Sequence, residues 1–404
     1  MRVTVYEPIG TGHRFAYLAH LLPEMSKLGV TPILVTTDQA LNSPPYQTHL
    51  HKHLQHFEVD SELVLADKPS SHQLADGFEQ CIRRLAPDHC LLPVGDMISQ
   101  IIGARRWIGK LSPAQSVETE ALHFRGRFGY SVASTRGRLK RFASRMTIAK
   151  APWSRLFHLD AYQLAALCQN NRSLAARSFV MPDPVEIPPK LSKSEARNAL
   201  GLPTDGRFVG CAGSIDLRKG ADKLLRSFAE ACPQLPTSDR LLLAGPVSPK
   251  VHTLLLKEFK ALLDSRRIIC LDRYLSVEEI AQALIAMDLV CTPYPEHSGS
   301  SSIVIRSAAV ERPLLAADVN WIGRTVKQFQ LGKAIDVTNQ KQFANSIVDG
   351  LESSPDFSLS PSGKRFVKFH SGENFAATWL GRIRERLSLP QDDRQIHWES
   401  VITD

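Results

Sequence analysis

The sequence predicts an α/β protein built from two doubly wound parallel-sheet domains. Its 404 residues exceed what one ordinary core usually holds, which favours two domains. Short apolar runs typical of buried strands alternate with amphipathic helical patterns along most of the chain. An extended, proline-rich stretch at residues 178–188, SFVMPDPVEIP, interrupts this alternation and is interpreted as the hinge. We therefore expect an N-terminal domain over residues 1–181 and a C-terminal domain over residues 182–362.

The composition and the cysteine pattern argue against several classes of protein. With 43% hydrophobic and 22% charged residues, the chain is typical of a globular protein. No apolar run approaches the roughly 18 residues that a membrane-spanning helix needs, and the first residues lack the pattern of a secretory signal. The seven cysteines are scattered and never spaced as C-x-x-C, which disfavours a disulfide framework and a zinc site. We therefore expect a cytoplasmic protein, attached at most peripherally to the inner face of the membrane.

The N-terminal half opens on a strand at residues 3–7, which is followed by a glycine turn. Gly10 and Gly12, with His13 at the start of a helix, lie at the carboxyl end of this strand, where parallel sheets bind ligands. We interpret the turn as part of a binding site, and a capping or surface role for His13 is the alternative. A dinucleotide fingerprint is disfavoured because the third small residue of the motif is missing. The helix has one apolar face, formed by Phe15, Leu18, Leu22 and Met25.

Further strands are expected at residues 31–36, 58–66 and 89–94, and helices at residues 73–85 and 164–175. The strand at 89–94 leads into Asp96, and a carboxylate just past a strand end can orient a hydroxyl group or act as a base. Asp96 could equally cap the helix that follows. The histidines at positions 49, 53 and 56 would share one helix face, but no carboxylate or cysteine accompanies them at metal-ligand spacing. We therefore expect a solvated helix there and no metal site.

The positive net charge of +8 comes from a single segment. No acidic residue occurs between Glu120 and Asp160, whereas nine basic residues do: Arg125, Arg127, Arg136, Arg138, Lys140, Arg141, Arg145, Lys150 and Arg155. Most of them belong to a predicted helix at residues 134–150, where they flank a narrow apolar line of Leu139, Phe142 and Met146. This pattern favours docking of residues 125–155 on an anionic membrane surface. A solvated helix face is the alternative, and nucleic acid is not expected because aromatic interleaving and known motifs are missing.

The C-terminal half has strand patterns at residues 207–212, 240–244, 268–271, 289–292 and 313–316. After the first of these come Gly213 and Ser214, then the basic pair Arg218 and Lys219 just before a helix. A strand, a glycine turn and a basic pair form a plausible anion cradle. We expect a final amphipathic helix at residues 366–387 and fraying after Pro390.

The loop after the strand at 289–292 also points to a phosphate site. It runs over residues 293–300 and delivers Gly299, Ser300 and Ser301 to the start of a helix at about residues 301–310. The free N–H groups and the positive dipole end of a helix start suit a phosphate. The alternative is that one of the two serines is only an N-cap.

Four segments then stand in a familiar order: DPVEIPP, LGLPTDGRFVGCAGSIDLRKGADKLLRSFAEA, RLLLAGP and AMDLVCTPYPEHSGSSSIVIRSAAVERPLLAADV. They resemble the C-terminal half of family-4-type glycosyltransferases with the GT-B fold, over residues 182–336. The resemblance implies two Rossmann-like domains facing a cleft and a C-terminal segment at residues 363–390 that returns to the N-terminal domain, with residues 391–404 as a tail. It further implies a nucleotide-sugar donor on the C-terminal domain and an acceptor beside the Gly10–Gly12–His13 loop.

The resemblance assigns roles to individual donor-site residues. Lys219 matches the family lysine that contacts the donor diphosphate, and Arg218 is expected to replace the arginine that many members carry at the position of Ser214. Gly299, Ser300 and Ser301 match the loop and helix start near the phosphates. The backbone around Arg273 and Tyr274 matches the place where the base is held.

One feature of the family is missing from this chain. The family carries two glutamates with seven residues between them, and alignment on AAVERP places Ser298 and Arg306 at those two positions. Glu296 lies two residues before the first of these positions, and Arg306 cannot accept the ribose hydrogen bonds that a glutamate accepts. We expect Glu296 or His297 to contact the transferred sugar, and Arg306 to face a phosphate, the ribose or an acidic neighbour. The stereochemistry of transfer stays open.

The function predicted from the residues and the resemblance is transfer of a sugar from a UDP- or GDP-linked donor to a glycan or lipid-linked acceptor. Neither a metal nor a resident cofactor is expected. The catalytic candidates are Glu296, His297 and Asp96. The alternative is a non-catalytic scaffold of the same fold that binds a nucleotide, a glycan or a partner protein.

Overall fold

The structure, a computed structural model, describes residues 1–10, 14–93, 95–124, 130, 134–169, 171–186 and 191–403. The chain forms two compact units. The N-terminal unit comprises Met1–Pro184 and Gly372–Trp398, and the C-terminal unit comprises Val185–Ser371 and Glu399–Asp404. The chain therefore first passes from one unit to the other within the stretch interpreted as the hinge.

The N-terminal unit contains a seven-stranded parallel sheet in the order β3-β2-β1-β4-β5-β6-β7. Its strands are β1 Val3–Tyr6, β2 Ile33–Val35, β3 Glu58–Asp60, β4 His89–Leu92, β5 Glu118–His123, β6 Arg155–His158 and β7 Ser178–Val180. Its helices are α1 Arg14–Lys27, α2 Asp38–Leu41, α3 Pro44–His49, α4 Ser71–Leu85, α5 Gly95–Trp107, α6 Thr135–Lys150, α7 Ala161–Cys168 and α8 Arg172–Ala175.

Both faces of this sheet are covered by helices. Val3 and Val5 of β1 point into a core shared with α1, whereas Tyr6 points to the other side, where Phe78 of α4 lies. Successive strand residues point to opposite faces, so an apolar strand with both faces buried requires a helical layer on each side. The predicted doubly wound arrangement is confirmed for this unit.

The C-terminal unit contains a six-stranded parallel sheet in the order β10-β9-β8-β11-β12-β13. Its strands are β8 Phe208–Ala212, β9 Arg240–Ala244, β10 Ile268–Leu271, β11 Leu289–Thr292, β12 Leu314–Ala317 and β13 Gly332–Ile335. Its helices are α9 Lys193–Ala199, α10 Ala221–Ala231, α11 Pro249–Glu258, α12 Lys260–Asp264, α13 Val277–Ala286, α14 Ser302–Ala309, α15 Asn320–Gln328, α16 Gln340–Ser353 and α17 Pro361–Phe369. Strands β8 to β12 lie where the apolar runs predicted them, to within two residues, whereas β13 was not predicted.

The C-terminal end of the chain differs from the expectation. The single helix predicted over residues 366–387 is wrong: α17 ends at Phe369 and a second helix, α18 Gly372–Arg386, begins three residues later. Phe375, Trp379 and Ile383 of α18 lie in the core of the N-terminal unit with α1, which confirms the predicted return to that domain. Fraying after Pro390 is also contradicted, because the chain forms the short helix α19 Trp398–Ile402 with Val401 buried.

Two local predictions in the N-terminal unit also need correction. The helix expected over residues 164–175 is two helices, α7 and α8, because the Asn171 side chain accepts a hydrogen bond from the Leu174 N–H and starts a new helix. The histidines at 49, 53 and 56 do not share a face of one α-helix. His49 ends α3, and a 3₁₀ helix follows at His51–His56.

The predicted basic helix is present as α6, and the Ser134 hydroxyl caps it by accepting from the Gly137 N–H. Leu139 and Phe142 are 69% and 60% exposed, so these two residues of the apolar line are not used in packing, whereas Met146 is half-buried. Arg125 and Arg127 lie outside the described residues. In the described part of the chain, no helix is long and apolar enough to cross a membrane.

Candidate functional site

The sheet order of the C-terminal unit identifies where a ligand would bind. From β8 the chain continues through β9 and β10 on one side, and then returns to place β11 on the other side of β8. The carboxyl ends of β8 and β11 therefore form a topological switch point, where open α/β sheets bind their ligands. The Gly213–Gly220 loop leaves β8 there, and residues 293–301 leave β11.

The loop after β8 is held in a fixed shape by its own polar groups. Asp216 caps the 3₁₀ turn Leu217–Lys219, and its carboxylate accepts from the Lys219 N–H at 2.8 Å. Gly220 follows in the left-handed region at φ +71°, and a Cβ there would lie 2.0 Å from the Pro293 carbonyl oxygen. The close approach of Gly220 to Pro293 ties this loop to the one that leaves β11. Only glycine fits both the backbone angle and the contact.

Lys219 points into the site between the two loops. Its Nζ lies 3.2 Å from where a Cβ on Gly213 would stand and 5.5 Å from the centroid of the Tyr294 ring. Burial is the main cause that lowers the pKa of this ammonium, and nearby Arg218 lowers the pKa further. Because burial disfavours the charged form, an anion bound at this ammonium would recover interaction energy. Lys219 is therefore placed to bind an anion.

Ser214 and Arg218 flank Lys219 on the exposed side of the loop. Both side chains are exposed, and the Arg218 Nη2 donates to an Asp216 carboxylate oxygen at 3.1 Å. To bind a ligand phosphate, the Arg218 guanidinium would have to leave Asp216 or to contact Asp216 and the phosphate at the same time. The expectation that Arg218 takes the task of the arginine missing at Ser214 remains a prediction.

The loop after β11 is ordered around His297. The imidazole Nε2 donates to the Ser300 carbonyl oxygen at 3.0 Å, and the Asn320 amide donates to the His297 carbonyl oxygen at 2.6 Å. Gly299 lies in the left-handed region at φ +94°. Ser301 occupies the N-cap position of α14, but its side chain makes no capping hydrogen bond. The serine-as-cap alternative therefore finds no support at Ser301, and the helix start stays available to an anion.

The remaining donor-site candidates lie at different depths. Glu296 is exposed, while Arg306 is half-buried in the second turn of α14. Arg273 follows β10, and its guanidinium is paired with Glu279 at 2.6 Å. Tyr274 is 82% exposed beside it. All of these residues belong to the C-terminal unit.

The N-terminal unit has its own switch point, between β1 and β4. Gly10 follows β1 in the left-handed region at φ +62°, and Asp96 follows β4 as the second residue of α5. Gly12 and His13 lie outside the described residues. The Asp96 carboxylate accepts from the Phe124 N–H at 2.7 Å, a contact that fixes the end of β5. A positioning role is thus visible for Asp96, and its catalytic role remains a prediction.

Glu7 is a residue at this edge that sequence reasoning missed. Its buried carboxylate accepts from the N–H groups of Ile9 and Gly10, at 3.2 Å each, and pairs with Arg14 at 3.4 Å. Burial raises the pKa of Glu7, and Arg14 opposes this. The rule that drew attention to Asp96, a carboxylate just past an apolar strand, applies equally to Glu7 and could have found it.

Two buried histidines were also missed. His123 ends β5 and His158 ends β6, and their rings pack edge to face with centroids 4.8 Å apart. His123 Nε2 is 2.8 Å from the Ser99 hydroxyl, which also accepts from the Trp153 indole at 2.7 Å. Burial lowers the pKa of His158 to about 3 and that of His123 well below its usual value. Both imidazoles are therefore neutral near pH 7. The apolar strand patterns do not reveal the pair, because they do not show which strands lie side by side.

Solved structures with the same fold are known. Sucrose-phosphate synthase from Thermosynechococcus elongatus is 18% identical, with a TM-score of 0.67 over 96% of this chain and 99% of that one. HepE of Anabaena in complex with UDP is 15% identical, with a TM-score of 0.66 over 96% and 100%. WaaG, a glycosyltransferase involved in lipopolysaccharide biosynthesis, is 12% identical, with a TM-score of 0.63 over 93% and 96%. These neighbours are GT-B glycosyltransferases, so the predicted GT-B fold is confirmed.

The likeness lies in the fold and not in the sequence. No protein-family model matches the chain, and no curated protein matches its sequence.

Proposed function

We propose that this protein is a glycosyltransferase that takes its sugar from a nucleoside-diphosphate donor. The observation that carries the proposal is Lys219, a partly buried ammonium aimed at the turn after β8 and near the uncapped start of α14. Two positive groups, one a side chain and one a helix end, then converge on the switch point of the C-terminal unit. An ammonium and a helix N-terminus at one site match the negative charge and the acceptor oxygens of a diphosphate.

The proposed chemistry is electrostatic. As the bond between the sugar and the diphosphate breaks, negative charge develops on the leaving oxygen. A preorganised ammonium and free helix N–H groups stabilise that charge more strongly in a partly buried site than in water. Lys219 and the start of α14 have these properties, with Arg218 close enough to contribute after leaving Asp216. HepE, whose fold this chain shares, has been solved with UDP and with UDP-glucose, which supports the same class of donor here.

The acceptor is proposed to bind the N-terminal unit at the carboxyl edge of its sheet. Glu7 follows β1 and orders the backbone up to Gly10, and Asp96 follows β4 and fixes the end of β5, so carboxylates follow two neighbouring strands there. Such groups suit the hydroxyls of a glycan and do not distinguish one sugar from another. A lipid-linked acceptor is supported by the exposed apolar residues of α6 and by the fold shared with WaaG.

A panel of UDP- and GDP-sugars separates the two candidate functions. Release of UDP or GDP from one sugar nucleotide, in the presence of an acceptor extract, supports transfer. Tight binding of a nucleotide without turnover of any donor would favour the non-catalytic scaffold. A structure with UDP or GDP bound would then locate the base near Arg273 and Tyr274, or elsewhere, and would show what Arg306 contacts.

The role of the loop after β11 can be tested by substitution. We propose that Glu296 or His297 contacts the transferred sugar, so the double variant Glu296→Gln/His297→Ala should lower kcat by roughly a hundredfold or more, as expected when positioned polar groups are lost. Nucleotide binding should change much less, because the diphosphate contacts lie at Lys219 and α14. His297 also orders the loop through Ser300. The single variant Glu296→Gln keeps that hydrogen bond and therefore separates loss of the carboxylate from loss of loop order. Full turnover in the double variant would contradict the assignment.

The exposed line on α6 predicts membrane attachment. Leu139 and Phe142 lie among cations that include the exposed Arg138, a combination that favours an anionic bilayer surface. We expect the protein to co-sediment with vesicles that contain phosphatidylglycerol and not with pure phosphatidylcholine. Added salt should release it, because surface charge attraction is screened within about 10 Å at 0.1 M ionic strength. Equal co-sedimentation with anionic and neutral vesicles would contradict the proposal and favour the alternative that α6 presents a solvated face.

A further inference from the structure

A second positively charged feature of the N-terminal unit lies at the other end of α5 and α6, away from the strand ends described above. An open cavity of about 520 Å³ is found where these helices terminate. Three of its lining side chains are cationic, Arg106 of α5, Lys150 of α6 and Arg177, and none of the described residues that line it is acidic. Gln115 and Ser173 add neutral polar groups. A cavity with this lining matches an anion.

Arg177 is the fixed member of this set. Its guanidinium donates to the carbonyl oxygens of Ala149 at 2.9 Å, Ala151 at 3.0 Å and Trp153, so it holds the end of α6 in place. Burial lowers the pKa of Arg177, and the nearby positive charge of Arg106 lowers it further. Like charges held together in this way repel each other, and a bound anion would relieve the repulsion.

Arg106 and Lys150 are the available members. Both side chains are exposed, and in the described part of the chain neither has a carboxylate within 4 Å. Their neighbour Arg105 differs, because Asp76 and Glu79 neutralise it at 2.5 and 3.1 Å. Arg106 and Lys150 therefore line the cavity without a carboxylate partner, whereas the Arg177 guanidinium is occupied by backbone carbonyl oxygens.

The loop beside the cavity is apolar and exposed. Residues 107–111, with the sequence WIGKL, connect Arg106 to the segment that contains Gln115, and both of these residues line the cavity. Trp107, Ile108 and Leu111 are 49%, 71% and 89% exposed. α5 ends at Trp107, Gly109 follows in the left-handed region at φ +78°, and the Lys110 N–H donates to the Arg105 carbonyl oxygen at 2.9 Å, so the chain makes a tight turn here.

We propose that this apolar loop and the basic cavity form a docking site for an anionic phospholipid bilayer, distinct from the exposed line on α6. Trp107, Ile108 and Leu111 enter the interfacial layer, where amphipathic aromatic side chains are favoured. Arg106 and Lys150 bind one lipid phosphate in the cavity, with Arg177 behind it. Charge complementarity and the adjacent apolar side chains together select this occupant, because a soluble anion would not use the loop. Membrane docking at this site is independent of donor binding and of sugar transfer.

The test compares two variants of the full chain on phosphatidylglycerol vesicles by co-sedimentation. The loop variant, Trp107→Ser/Ile108→Ser/Leu111→Ser, and the cavity variant, Arg106→Ala/Lys150→Ala, should each lower the partition coefficient by roughly tenfold or more. Leu256→Ser/Lys257→Ala removes an exposed apolar side chain and a cation from α11 in the other unit, and should leave partitioning unchanged. Equal partitioning of the wild type and both N-terminal variants would overturn the proposal.

Two further measurements give independent readouts. Brominated lipids should quench tryptophan fluorescence in the wild type and lose most of this effect in Trp107→Phe; unchanged quenching would overturn insertion of the loop. Calorimetry with sn-glycerol 3-phosphate measures whether the cavity binds a soluble phosphate in place of a lipid headgroup. Binding that depends on Arg106 and Lys150 while vesicle attachment does not would overturn the bilayer assignment. UDP binding measured without lipid should be unaffected in all variants, so failure here is distinguishable from failure of the proposed glycosyl transfer.

Discussion

Replacing Lys219 with alanine is expected to weaken the binding of UDP or GDP by roughly ten- to a hundredfold, the range for one charge-assisted phosphate contact. Lys219 is a partly buried ammonium whose pKa burial lowers, so it gains more from a phosphate than an exposed lysine would. The fold should survive, because among the described contacts Lys219 forms no ion pair that the C-terminal unit needs. Isothermal titration calorimetry measures the dissociation constant directly.

The control for this variant is Lys260→Ala. Lys260 is exposed in α12 and, among the described residues, pairs only with the equally exposed Asp264, so its loss should leave nucleotide affinity unchanged. Lys219→Arg separates charge from shape. If positive charge alone suffices, arginine should retain part of the affinity. An unchanged dissociation constant in Lys219→Ala would remove this residue from the donor site and with it the observation on which the proposed function depends.

The largest effect on stability is expected at Asp288. Its carboxylate precedes β11 and accepts from the Phe208 N–H at 2.8 Å, from the Arg197 guanidinium at 2.9 Å and from the Lys193 ammonium. Asp288 and Arg197 are almost completely buried. Asp288→Ala would leave the Arg197 charge buried without its carboxylate, which costs about 3–5 kcal/mol in comparable pairs.

Urea denaturation measures this loss as a lower free energy of unfolding of the C-terminal unit. Asp264→Ala is the matched control, because it removes a carboxylate from an exposed pair and should change the free energy by only about 0.5 kcal/mol or less. A fall of less than about 1 kcal/mol in Asp288→Ala would show that water or a shifted Arg197 compensates for the missing carboxylate. The ring of Phe208, 4.5 Å from the Arg197 guanidinium, is too weak a partner to do so alone.

The local features of this protein could be predicted from its residues alone. The apolar runs from Phe208 to Ala212 and from Leu289 to Thr292 are strands because β-branched and apolar residues with both faces buried leave little alternative. The Lys219-Gly220 pair and the Gly299–Ser301 segment could also be placed at a loop and a helix start. Glycine and small polar residues favour turns through the conformation and hydrogen bonds of the local backbone, so the signal is present in the sequence. The distribution of charge likewise predicts the basic helix α6.

Only the tertiary structure decided which distant side chains meet. Tyr294 lies beside Lys219, and Ser99 joins His123 to Trp153, because the order of strands in each sheet brings together residues that are far apart in the chain. The cavity shared by Arg106, Lys150 and Arg177 arises in the same way, from three element ends that converge. Sequence periodicity reports which face of an element is buried but not which element covers it. The crossovers and the packing of whole layers determine that pairing, and with it the pKa values and charge clusters on which function depends.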